Sequence, residues 1–62
     1  MTAERKRDRY LSPRAVAEQL DVSVRTVRRW LSSGELRHYR LGGQIRIAQA
    51  DLEAFLYRHR SG

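Results

Sequence analysis

Arg25, Thr26, Arg28, Arg29 and Ser32 gather three guanidinium groups and two hydroxyls within eight residues of a 62-residue chain. A guanidinium presents a planar fork of donors that fits a phosphate, a carboxylate or the paired acceptors on a guanine edge. A hydroxyl adds a single bond to phosphate or base. No acid follows any of the three arginines at i+3 or i+4. A helix face that is merely solvated usually mixes its signs, although arginine is a good helix former and also suits a plain solvent face. A second group is Arg40, Gly42, Gly43, Gln44 and Arg46. Here two cations flank a glycine pair that makes a turn and leaves its tip free of side chains.

Other chemistry is sparse. The chain has no Cys, which excludes disulfides, Cys-zinc sites and thiol nucleophiles. His38 and His59 stand apart without metal-ligand spacing. Asp51 and Glu53 face different sides of one helix, and Glu18 and Asp21 flank a turn. Gly42-Gly43 precedes a strand rather than a phosphate-binding helix. No enzyme activity, cofactor or metal is expected. The net charge of +6 and the pI near 11.1 point instead to an anionic polymer. Twelve Arg against one Lys would also follow from a GC-rich genome. The surplus is concentrated, however, in residues 1–9, 23–34 and 35–47. No apolar run exceeds four residues, so no membrane span is expected.

The elements that must position these groups are legible in turn. Residues 1–9, with Arg5, Lys6, Arg7 and Arg9, lack apolar periodicity and read as a disordered basic arm. Residues 10–60 read as one domain. Ser12 is an N-cap with Pro13 in the first helical position, and Leu11 is placed to staple onto Val16. A helix from Pro13 to about Leu20 buries Val16, Ala17 and Leu20. After Asp21-Val22, Ser23 caps a second helix. Its inner stripe is Val24, Val27, Trp30 and Leu31, and Gly34 ends it in left-handed geometry. A three-residue link matches a helix-turn-helix.

From Leu36 to Ile47 the period changes to that of a β-hairpin. A three-residue loop, Gly42 to Gln44, would pair Leu41 with Ile45 and Tyr39 with Ile47. That gathers the apolar side chains inward and sets Arg40 opposite Arg46. Such like charges would call for a counter-anion such as phosphate. A third helix starts near Gln49, with Asp51 in its first turn and Leu52, Phe55 and Leu56 as its stripe. The expected core is therefore Leu11, Val16, Ala17, Leu20, Val27, Trp30, Leu31, Leu41, Ile45, Ile47, Leu52, Phe55 and Leu56, with Tyr39 beside it.

Tyr10-Leu11-Ser12-Pro13, Ala17-Glu18-Gln19-Leu20 and the run from Val22 to Trp30 resemble the small winged helix-turn-helix proteins of the excisionase group, distant relatives of the MerR regulators. Ser33-Gly34-Glu35-Leu36, Tyr39-Arg40-Leu41-Gly42-Gly43, Arg46-Ile47 and the segment from Asp51 to Leu56 continue the match. Asp21 departs from it, since the family often has Gly there. The resemblance implies an α+β, mostly α, fold and an origin in a phage or mobile element of an actinobacterium. It implies a recognition helix in a major groove (Ser23, Arg25, Thr26, Arg28, Arg29 and Ser32). It also implies a wing on the adjacent backbone or minor groove (Arg40, Gly42, Gly43, Gln44 and Arg46).

The role it implies is that of an excisionase. Such a protein binds repeats in the arms of an attachment site, bends the duplex and biases a cognate integrase towards excision. On this reading the protein is cytoplasmic, monomeric when free and cooperative on DNA. Two other roles fit the residues: a small transcriptional regulator with the same domain, and an adaptor whose basic face meets an acidic protein. MerR regulators carry a long dimerisation helix after this domain, which is not expected here.

Overall fold

Two serines and two left-handed residues mark out the helix-turn-helix. The computed structural model describes residues 9–61. Helix α1 (Pro13–Leu20) starts where Ser12 Oγ accepts the Ala15 N–H at 3.0 Å, with Pro13 in the first turn. It ends at Asp21, φ 58°, and the Val22 N–H reaches back to the Ala17 carbonyl at 3.0 Å. Helix α2 (Val24–Ser33) is capped by Ser23, whose Oγ accepts the Thr26 N–H at 3.1 Å. It stops at Gly34, φ 85°. These boundaries agree with the expectation from the caps.

Strands β1 (Tyr10–Leu11), β2 (Tyr39–Leu41) and β3 (Gln44–Ala48) form an antiparallel sheet in the order β1-β3-β2. Helix α3 (Gln49–Arg58) follows directly. Helix α1 packs on α2 and β3, and α3 packs on β3. The result is a small, mostly helical winged helix-turn-helix, as expected. Its core is Val16, Ala17, Val27, Leu31, Leu36, Ile47, Leu52 and Phe55, with Leu11, Leu20, Val22, Val24, Trp30 and Ile45 partly buried against it.

The hairpin register differs from the expectation. Leu41 pairs with Gln44, Arg40 with Ile45 and Tyr39 with Arg46 across a two-residue Gly42-Gly43 turn. Both glycines have positive φ, 60° and 82°. That geometry matches the right-handed twist of the flanking strands, and two adjacent glycines suit a turn with positive φ at both central residues. A Cβ at either glycine would meet nothing within 4 Å, so the backbone angle, not the space, favours glycine there.

Because paired residues share a face, Ile45 and Ile47 point inward, while Tyr39 and Leu41 join Gln44 and Arg46 outside. Leu41 and Tyr39 are therefore exposed rather than core. Arg40 and Arg46 lie on opposite faces, which removes the argument for a counter-anion between them.

Three further expectations are corrected. Leu56 is exposed: α3 buries Leu52 and Phe55, and the ring of His59, at its C-terminal cap, lies on Phe55 with centroids 4.2 Å apart. Leu36, placed in the hairpin by its sequence, is fully buried, and its N–H donates to the Trp30 carbonyl. Arg9, assigned to the arm, is tied down: its carbonyl accepts the Gln49 N–H at 2.8 Å. That bond satisfies a free donor at the start of α3, where Ala48 offers no side-chain cap. The rest of the expected arm lies outside the described residues.

Candidate nucleic-acid interface

The inward stripe of α2 fixes its outward one. Val27 and Leu31 are buried, Val24 is half-buried and Trp30 tilts against Phe55 with centroids 4.8 Å apart. Arg25, Arg28, Arg29 and Ser32, at i, i+3, i+4 and i+7, then form a single exposed row. Among the described residues, the arginines that hydrogen-bond to the protein are Arg46, Arg58 and Arg60. The guanidinium groups of α2 are not among them and keep their full donor set for an outside acceptor.

Ser23 and Thr26 differ from the other expected recognition residues. Ser23 Oγ accepts the Thr26 N–H and donates to Thr26 Oγ1 at 3.0 Å, so its one proton is used within the cap. The Thr26 hydroxyl accepts that bond and retains its own proton.

The expected wing residues are divided by the register. Gly42 and Gly43 form the tip, and Arg40 stands exposed on the face of Ile45. Gln44 and Arg46 share the other face. There the Arg46 guanidinium donates to the Ile45 carbonyl at 2.7 Å and to Gln44 Oε1. Arg46 is half-buried and its donors are partly used, whereas Arg40 is free of such bonds among the described residues.

Other residues near these elements carried little sequence signal. Tyr10 and Tyr39 meet edge to face, with centroids 5.9 Å apart, on the outer side of the sheet. A two-residue strand is too short to show periodicity, so Tyr10 could be found only by its pairing with Ala48. Exposed Arg14 and Arg37 add charge outside the expected set.

Where α2 ends near α3, Gly34, Glu35, Arg37, Asp51, Ala54 and Arg58 line a cleft of about 370 Å³. Asp51 Oδ2 is shielded from solvent there without a hydrogen-bond partner, in a cleft that Arg37 and Arg58 also line. Arg58 instead donates to the Glu35 carbonyl at 3.0 Å, and Glu35 lies 3.9 Å from His59. This mixed-sign cleft contrasts with the all-basic row of α2. Among the described residues no group of His, Cys, Asp and Glu is arranged to hold a metal, and no helix is long and apolar enough to cross a membrane.

An exposed, acid-free helix after a three-residue turn is the geometry of a DNA-reading helix. A family model described as a helix-turn-helix domain matches residues 10–60. The chain belongs to this helix-turn-helix family. The family includes excisionase-like DNA-binding proteins, and its domains are typically non-enzymatic. Membership supports DNA binding for this chain. No curated protein matches it.

Proposed function

We propose that this helix-turn-helix protein is a sequence-specific DNA-binding and DNA-bending accessory factor of the excisionase kind, acting in the cytoplasm. The row Arg25, Arg28, Arg29 and Ser32 carries the reading, because its cations have no protein partners among the described residues. In this reading α2 enters the major groove, and its arginines take guanine edges or phosphates with Thr26 adding a hydroxyl. Arg40, the Gly42-Gly43 tip, Gln44 and Arg46 lie along the neighbouring backbone. The duplex partner is a set of arm repeats at an attachment site, occupied by several copies head to tail. A cognate integrase is the protein partner.

One domain covers about a turn of duplex, a short footprint for useful specificity. Weak contacts between neighbouring copies gain force once both are held on one DNA. Cations repeated along one side neutralise phosphates unevenly and favour bending.

The test is footprinting and gel-shift bending on a candidate attachment region, followed by an excision assay with a candidate integrase. Extended protection of direct repeats, bent DNA and stimulated excision are expected. A stable free dimer protecting a palindrome on straight DNA would replace this role with that of a transcriptional regulator. Tight binding to an acidic protein without duplex binding would replace it with that of an adaptor.

A further inference from the structure

One strand of the hairpin proposed to lie on DNA, β2, is weakly anchored. All three residues of β2 are exposed, so the strand contributes no buried side chain. Among the described residues its backbone pairs with β3 alone, across a tight turn, which makes it an edge strand of the sheet. On the side of β3 away from β2 lies β1, which is held much more firmly. The Arg9 carbonyl accepts the Gln49 N–H, Tyr10 and Leu11 pair with Ala48 and Ile47, and Leu11 packs against the core. Ser12 then begins α1. Tyr10 is thus a fixed post at the edge of the sheet. Its ring crosses over β3 to meet Tyr39 at 5.9 Å and 90°. This is the favoured edge-to-face geometry of an aromatic pair. It links two strands that share no backbone hydrogen bond.

We infer that the Tyr10–Tyr39 contact clasps the hairpin to the body of the domain, making Tyr10 a positioning residue for the hairpin's part in DNA binding. Tyr39 stands opposite Arg46 on the same face. Fixing Tyr39 therefore fixes β2 and the glycine tip against β3, which carries Arg46 and Gln44. The ring of Tyr10, not its hydroxyl, supplies the contact. The inference rests on the DNA-binding reading for its consequence, but the clasp itself can be read on the free protein.

The experiment compares the full chain with Tyr10→Ala, Tyr10→Phe, Tyr39→Ala and the double variant Tyr10→Ala/Tyr39→Ala. Circular dichroism checks folding. Backbone order parameters at Gly42 and Gly43 read wing mobility without DNA. Duplex affinity is measured at fixed salt on specific and random sequences. Tyr10→Ala should lower the order at both glycines and weaken both duplexes by about three- to tenfold, the range expected for one lost aromatic pair. Tyr10→Phe should match the wild type. The double variant should lose no more than the larger single loss, because either change opens the same contact.

Unchanged order at the glycines in Tyr10→Ala would overturn the inference. So would additive losses in the double variant, or a Tyr10→Phe defect as large as that of alanine. If Tyr10→Ala fails to fold, Tyr39→Ala makes the same test from a strand that buries nothing. A wild-type chain that binds no duplex would overturn the DNA-binding reading and the role assigned to Tyr10, while the order parameters would still decide the clasp.

Discussion

At the residue scale, exposure and hydrogen bonding separate arginines that composition treats alike. Arg25 and Arg28 are exposed and make no side-chain hydrogen bond among the described residues, while Arg46 is half-buried and already donates to Ile45 and Gln44. Arg25→Ala or Arg28→Ala should weaken a specific site by about 1–3 kcal/mol more than random DNA, the value of a lost bidentate base contact. Arg46→Ala should weaken both duplexes nearly equally. Competition binding measures each difference, and equal losses for all three would rule out base readout by α2. The stripe of α2 made these positions legible, because an amphipathic helix with a known inner face has a known outer one. Trp30 was legible for the same reason, but its depth was not. It is half-buried against Phe55 instead of enclosed. Trp30→Ala should therefore cost about 2–3 kcal/mol, somewhat less than the usual loss for an enclosed aromatic. Thermal melting checks this, and a wild-type melting curve would mean that Trp30 carries no packing.

At the element scale, caps and turns outweigh side-chain sorting. Ser12, Pro13, Ser23 and Gly34 locate the helix ends because each meets a local backbone need. The hairpin register was not legible by the same means. The expected loop sorted apolar residues to one face, but two glycines at positive φ favour the tighter turn. The strand pairs Tyr39 and Leu41 outward as a result, and the exposed aromatic pair has no sequence signature of its own. Asp21 tests the backbone argument. It holds φ 58° at the C-terminal end of α1, where both the left-handed angle and the helix dipole disfavour it. Asp21→Gly should stabilise the domain by about 0.5–1 kcal/mol, raising the melting midpoint by a few degrees. Asp21→Val should destabilise it, since a β-branched residue is strained at that angle. A lower melting point for the glycine variant would show that the carboxylate makes a stabilising contact of its own.

At the scale of the whole molecule, the five large hydrophobic residues left exposed among the described residues fall into two groups. Tyr10, Tyr39 and Leu41 lie on the sheet, and Leu56 and Tyr57 on α3. The sequence had assigned its apolar stripes wholly to the core, so this spare surface was not foreseen. Residues divided between the sheet and a helix offer a stable dimer less than one continuous apolar face would. Sedimentation of the free protein should therefore give a monomer. Charge sets the last expectation. The net charge of +6 includes Arg5, Lys6 and Arg7, which precede β1. If the domain and these residues together neutralise about five to seven phosphates, the log–log dependence of affinity on salt should have a slope of about −4 to −6. Removing residues 1–8 leaves Arg9 to accept the Gln49 N–H and Tyr10 to pair with Ala48, so the bonds that hold β1 remain. The slope should then shrink by about two to three, roughly one for each phosphate-bound cation removed, with sequence preference retained. An unchanged slope would place those three cations off the DNA. A slope near zero for the full chain would remove the nucleic-acid reading altogether.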